Sequence, residues 1–206
     1  MQAGSNEKGK RLGVAFFRRE AETVARALIG CVLVRKIGGR ELRARIVETE
    51  AYLGPHDLAS HTSKGRTART EVMFGPAGRA YVYFIYGMHE MLNVVTGDGT
   101  CVGQAVLIRA AEPVSGWEKM PDLSGPAKLT RAMEINRTLN GVEVMGEALH
   151  FEKRMGRVPR VEVSARINVD YAGEWTAKLL RYFDAESGAV SGRKRAVQGV
   201  RQRGRR

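Results

Sequence analysis

Residues Cys31–Tyr52 read CVLVRKIGGRELRARIVETEAY, and this stretch decides how the chain folds. It predicts two antiparallel strands, because branched residues favour extended backbone and Gly38-Gly39 supplies the positive-φ pair of a tight hairpin. In the second strand a two-residue period places Ala44, Ile46, Glu48, Glu50 and Tyr52 on one face, with Arg45, Val47, Thr49 and Ala51 on the other. A core-facing strand would carry Val, Leu or Phe where Glu48 and Glu50 stand. Leu53-Gly54-Pro55 then breaks the ladder, since proline has no N–H to donate. Two readings follow: a catalytic rim of carboxylates beside a Gly-Pro turn and a histidine, or an edge strand with solvated glutamates.

Working outward, Val24, Ala25, Leu28 and Ile29 recur at helical spacing and Gly30 stops them, which predicts a helix over Glu20–Ile29. Residues 54–80 are rich in Gly and Thr and contain Lys64, Arg66, Arg69 and Arg79. A structureless segment of that length is functional or mobile. Tyr81–Thr96 predicts an aromatic strand, a break near Gly87 and a second strand. Ala105–Ala110 predicts another, with Leu107 and Arg109 on one face. Ser124-Gly125-Pro126 opens a helix with Ser124 as N-cap and proline in its first turn. Strands are expected around Val142–Phe151 and Val161–Asn168, a turn over Tyr171–Trp175, and a short last element over Lys178–Phe183. The fold class is α+β. One domain spans residues 12–190, between a disordered N-terminus (1–11) and a basic, disordered C-terminal tail (191–206).

The chain has 206 residues, 43% apolar, and a net charge of +12, enough for one good core. Seven of the basic residues lie from Arg193 onward with no acid among them, so much of the positive charge sits on a segment unable to bury a core. A basic globule with a basic arm suits a polyanion, nucleic acid first and an anionic membrane surface second. No apolar run approaches the ~20 residues of a membrane span, and the N-terminus lacks the apolar region of a secretory signal. Cys31 and Cys101 form no C-x-x-C pair, which points to a reducing, intracellular location in the cytoplasm, nucleoid or nucleus. Four scattered histidines do not argue for a metal.

Among residues able to carry chemistry, Glu50 and Glu48 are the acid/base candidates, with Glu48 expected to pair with an arginine. Tyr81, Tyr83 and Tyr86 lie on a strand aromatic on both faces. Tyr81 and Phe84 read as ordinary buried strand residues. Tyr86, beside Gly87, is either that or a projecting side chain for base stacking or duplex wedging. Arg109 is costly to bury unpaired, so it either meets Glu48 or Glu50 or reaches a phosphate. Asn93, among Leu92, Val94 and Val95, needs partners, as a network residue or a selectivity element. Read from residues alone, the chain is a basic α+β domain with an acidic site. An enzyme, a nucleic-acid-binding module and a different hydrolase on the same surface all remain open.

The blocks RIVETEAYLGP with His61, YVYFIYGM with Asn93, VLIRAAEP, SGPAKL and AGEW, preceded by LGVAFF and LIGCVLVR, occur in an order and spacing that resembles the alkyladenine (3-methyladenine) DNA glycosylase family. The resemblance runs from about Leu12 to Phe183. It implies a curved, mostly antiparallel sheet with packed helices and a protruding β-hairpin that intercalates into DNA. It implies that Glu50 is the catalytic glutamate that activates a water, with Arg109 beside it near the DNA backbone. Tyr52, His61 and Tyr83 match the pocket for the flipped base, and Asn93 the asparagine that clashes with the 2-amino group of guanine. Tyr86 matches the intercalating tyrosine, Met88 its neighbour, and Arg66 and Arg69 the DNA-facing loop. The implied partner is double-stranded DNA containing damaged purines, bound by a monomer without metal or organic cofactor and without membrane association. No lysine occupies the matched catalytic positions, which implies a monofunctional glycosylase. Lesions of the 3-methyladenine, 7-methylguanine, hypoxanthine and ethenoadenine class are within the family's range. The chain departs from the pattern at His89-Glu90, where apolar or aromatic residues are common, at Thr70, where asparagine is frequent, and in its basic tail.

Overall fold

Gly38 and Gly39 turn the chain with φ of 54° and 75°, and the predicted hairpin forms around them. Strand β1 (Val32–Ile37) pairs antiparallel with β2 (Arg40–Tyr52), from Val32 opposite Arg45 to Ile37 opposite Arg40. The structure is a computed structural model, and it describes residues 9–192 except 86, 101 and 155. Residues 193–206 of the expected tail (191–206), residues 1–8 of the expected N-terminal segment (1–11), and Tyr86 therefore lie outside the described residues.

Six further strands complete one curled antiparallel sheet: β3 (Ala80–Ile85), β4 (His89–Thr96), β5 (Gln104–Ser115), β6 (Leu149–Glu152), β7 (Val161–Ser164) and β8 (Arg181–Asp184). The order is β3-β4-β5-β2-β1-β6, with β8 also bonded to β2 and β7 to β8. Strand β2 is thus interior. Its first half lies between β1 and β5, and Glu48–Glu50 lie between β5 and β8. The solvated-edge reading fails, since Glu48 and Glu50 are both fully buried.

Among the described residues, three helices pack on the sheet: α1 (Val14–Phe17), α2 (Ala21–Leu28) and α3 (Pro126–Ala132). In α2, Ala21, Val24, Ala25 and Leu28 are buried at one-face spacing, and Gly30 at φ 86° ends it as expected. The Thr49 hydroxyl bonds the Ala25 carbonyl at 2.9 Å, tying β2 to this helix. Helix α3 has Pro126 in its first turn, but Gly125 occupies the N-cap position and no side chain caps it. The expected Ser124 cap is therefore wrong; at φ 155°, Gly125 holds a conformation that places the serine one residue too early.

The strict alternation expected for β2 is also corrected. Ala44 and Ile46 belong to the main core, but so does Ala51, so the core-facing parity changes between them. The register with β5 shifts between Ile46 and Glu48 and again between Glu48 and Thr49. The two shifts are of opposite sense and cancel, so the register is the same on both sides. The ladder skips Val47 on β2 and Arg109 on β5, and the side-chain alternation of each strand reverses there. Glu48 and Glu50 consequently face away from the core that Ala44 and Ile46 enter.

Residues 54–80 are not structureless. They contain 3-10 turns at His61–Lys64 and Glu71–Phe74. Asp57 fastens the start of this segment by accepting the Leu53 and Ala59 N–H groups, each at 3.0 Å. A Cβ at Gly54 would sit 2.8 Å from the Val102 carbonyl oxygen, so the Gly-Pro turn packs directly on the chain leading into β5. The strands expected over Val142–Phe151 and Val161–Asn168 are shorter, and the turn at Tyr171–Trp175 lies within a kinked 3-10 segment, Asp170–Ala177, broken at Gly173 (φ 57°).

Candidate active site

Strand pairing aligns one row of residues across five strands. Tyr81 on β3 lies opposite Asn93 on β4, Asn93 opposite Leu107 on β5, Leu107 opposite Glu50 on β2, and Glu50 opposite Arg181 on β8. Directly opposed residues share a face. Two strand spacings therefore separate Asn93 from Glu50, about 10 Å. The irregularity at Val47 matters here, because it turns Glu50 onto the face opposite to the core that Ile46 enters.

Glu50 meets three donors. Oε1 accepts the Ile167 N–H at 2.8 Å, and Oε2 accepts the Tyr52 hydroxyl at 2.9 Å and Arg109 Nη1 at 3.3 Å. Arg109 also gives its Nε to Glu48 Oε1 at 3.1 Å, and Arg181 gives its Nε to the same oxygen at 2.6 Å. Glu48 therefore pairs with arginines, as expected, and Arg109 meets both carboxylates instead of reaching outward. Two carboxylates and two guanidiniums make this buried group formally neutral, which offsets part of the cost of desolvating them.

Beside it opens a pocket enclosing about 300 Å³ of empty space, part of it continuous with solvent, lined by Tyr52, His61, Tyr83, Asn93 and, unexpectedly, Tyr81 and Tyr171. The expected pocket residues are thus brought together. His61 packs edge-on to Tyr83 with ring centroids 4.6 Å apart, and its Nδ1 lies 3.0 Å from the Tyr81 hydroxyl. Asn93 donates Nδ2–H to the Tyr81 carbonyl at 3.2 Å, which fixes its amide in the wall. Burial holds the Tyr52 and Tyr83 hydroxyls well above the ordinary phenol range, so both remain protonated donors.

Burial, with the nearby Arg69 cation adding to it, lowers the His61 pKa from 6.5 to about 4. The ring is neutral at neutral pH. A folded-state value below the unfolded one means that the associated stability is present above about 6.5 and is lost as pH falls towards 4. An NMR titration should show the His61 ring changing near pH 4, with no His61 step in activity between pH 5 and 8. A midpoint near 6.5 would show that the ring is solvated.

Tyr52 is gripped from behind. The Arg166 guanidinium sits 4.8 Å from its ring centroid and forms a two-pronged pair with Asp57, at 2.5 and 2.8 Å, with both side chains fully buried. Arg166 Nη1 also bonds the Ala51 carbonyl at 2.9 Å. The next residue, Ile167, supplies the N–H on Glu50. Asp57 and Arg166 escaped sequence reading because they lie far apart in the chain, and neither sits on an element whose period gives it a direction. Tyr81 was read as plain core; it is buried, but its hydroxyl faces His61. Tyr171, placed in a turn, is anchored by its hydroxyl to the Ala59 carbonyl at 3.2 Å and borders the pocket.

The remaining candidates lie outside the pocket. The Arg69 guanidinium is 5.2 Å from the Tyr83 ring centroid, in a neighbouring cleft that also includes Phe84 and Arg137. Arg66 is exposed and paired with Glu71 at 3.3 Å. Met88 is 70% exposed in the turn between β3 and β4. Glu90, a departure that placed a carboxylate near the expected DNA surface, pairs with Arg137 at 3.1 Å. Thr70 bonds within its own loop, to the Gly65 carbonyl. Among the described residues no cluster of three or more His, Cys, Asp or Glu side chains is arranged to hold a metal, and no helix is long and apolar enough to cross a membrane.

The family profile described as Methylpurine-DNA glycosylase (MPG) matches residues 15–188. A protein of Myxococcus xanthus (strain DK1622) called "Putative 3-methyladenine DNA glycosylase" is 51% identical over 180 residues, covering 86% of this chain and 91% of that protein. Proteins of the same name from Methanocella arvoryzae and Legionella pneumophila (strain Lens) are 46% and 44% identical. They cover 86% and 88% of this chain, and 94% and 98% of their own lengths.

Proposed function

The chain belongs to the methylpurine-DNA glycosylase family and is a DNA N-glycosylase, and from that premise we propose that it flips alkylated or deaminated purines out of duplex DNA and hydrolyses their glycosidic bond with a water activated by Glu50. The observation that carries this reading is the row across the sheet: an aromatic pocket with Asn93 in its wall at one end and a buried, three-donor carboxylate two strands away. A purine in the pocket would extend its deoxyribose towards Glu50. Glu50 takes a proton from the water that attacks C1′, and its negative charge stabilises oxocarbenium character at the sugar. Arg109, bonded to Glu50, keeps the carboxylate aimed. Products are a free base and an abasic site.

Tyr52, His61 and Tyr83 hold the base, and Asn93 opposes the 2-amino group of guanine. No lysine lines the pocket, in keeping with a monofunctional, hydrolytic enzyme. The start of base excision repair is the place for such a reaction. Met88, Arg66 and Arg69 serve the DNA surface. The lesion class is 3-methyladenine, 7-methylguanine, hypoxanthine and ethenoadenine. Single-turnover assays on duplexes with one hypoxanthine or one ethenoadenine, and on methylated DNA, test the reading. Lesion-specific heat-alkali cleavage supports it, and silence on all three substrates overturns it.

Tyr86, which precedes Gly87 in the sequence, fills the gap left by the flipped base. Stacking of that kind contributes about 1–3 kcal/mol. Tyr86→Ser should therefore cut the flipped fraction of ethenoadenine, read by its fluorescence, roughly tenfold or more, with undamaged-DNA binding little changed. Equal flipping by the variant and the parent would remove Tyr86 from this role.

A further inference from the structure

Glu48 is fully buried, and two of its hydrogen bonds come from one residue outside the strands. Ser191 donates its backbone N–H to Oε2 at 2.6 Å and its hydroxyl to Oε1 at 2.8 Å. The same hydroxyl oxygen lies 3.4 Å from Arg109 Nη2, and the Ser191 carbonyl accepts from Arg181 Nη2 at 3.1 Å. One residue thus touches three of the four charged groups around the candidate centre. It lies beyond residues 15–188, which the family profile matches.

We propose that Ser191 is a positioning residue for base excision: it fixes Glu48, which fixes Arg109, which in turn holds Glu50. The inference rests on the reading of Glu50 as the base. A guanidinium is a rigid planar fork, so once its Nε is pinned by Glu48 the direction of Nη1 towards Glu50 is set as well. The Nη1–Oε2 contact is 3.3 Å, the longest of the three on Glu50, and so the first to be lost if Arg109 tilts. Ser191 pins each oxygen of Glu48 separately. Without the hydroxyl, Oε1 is held by the two arginines alone, and the carboxylate is freer to rotate about the remaining N–H bond and draw Arg109 off Glu50.

The test uses the full chain with Ser191→Ala, Ser191→Thr and Glu50→Gln, each measured for single-turnover hypoxanthine excision, lesion-DNA affinity and thermal midpoint. Small misplacements of catalytic groups cost up to about a hundredfold. Ser191→Ala should slow excision about tenfold, with affinity within twofold of the parent, and Ser191→Thr should restore the rate. An alanine variant at the parental rate overturns the proposal. So does one whose loss of rate is matched by an equal loss of affinity and is not rescued by threonine. A fully active Glu50→Gln would instead sink the assignment of the base. An inactive Glu50→Gln beside a fully active Ser191→Ala would sink the positioning role alone.

Discussion

Glu50→Gln lowers single-turnover excision by about 10²- to 10⁴-fold, the contribution of a positioned general base, while lesion-DNA binding stays close to that of the parent. Glutamine keeps the shape and can still accept the Ile167 N–H at Oε1. It cannot take a proton from water, and its amide nitrogen would replace an acceptor now facing the Tyr52 hydroxyl and Arg109. The exchange also leaves Arg109 and Arg181 facing Glu48 alone, so some loss of thermal stability accompanies it. The two effects separate by measurement: the rate is read at saturating enzyme and the affinity by anisotropy on the same duplex. Parallel loss of rate and affinity would make Glu50 a structural residue and return the site to the binding-module reading.

The second large effect concerns stability. Asp57→Ala leaves the Arg166 cation fully buried without its counter-ion, a change of about 3–5 kcal/mol. It also strips the acceptor from the Leu53 and Ala59 N–H groups, each worth about 1–3 kcal/mol if left buried and unsatisfied. Domains of this size have only about 5–15 kcal/mol in hand, so the variant should be largely unfolded or shifted far down in urea midpoint. Replacing both partners, as in Asp57→Leu with Arg166→Met, should recover much of the loss, because no lone charge remains. The double variant should nonetheless excise poorly, since Arg166 backs Tyr52 and precedes the N–H that meets Glu50. An Asp57→Ala protein with the parental midpoint would show that the pair is solvated.

Much of this was legible from residues, and what was not has physical reasons. The hairpin at Gly38-Gly39, helix α2 and the antiparallel aromatic pair appear where periodicity and glycine put them, because each is a local pattern. Arg109 announced its need for a carboxylate partner because a cation on an apolar strand has few alternatives. The parity of β2 departs from strict alternation because a bulge has no composition of its own: only the pairing shows that the ladder skips Val47 and, on the partner strand, Arg109. Asp57–Arg166 and Ser191 were invisible for a related reason. Their partners are 109 and 143 residues away, so nothing near them in sequence carries their role. The family resemblance supplied the pocket set, but Tyr81, Tyr171 and the buried ion pair came only from the fold.

The bulge in β2 has a consequence for inheritance. One strand sends Ala44 and Ile46 into the hydrophobic interior and, past Val47, turns Glu48 and Glu50 to the opposite face, and the residue skipped in the ladder is what lets it do both. Losing a single codon between Ile46 and Thr49 would exchange the two faces of everything downstream, turning Glu50 towards the oily side and Ala51 towards the pocket. Substitutions along this strand can be tried by evolution one at a time. Its length cannot, so related chains should differ here in letters and almost never in count.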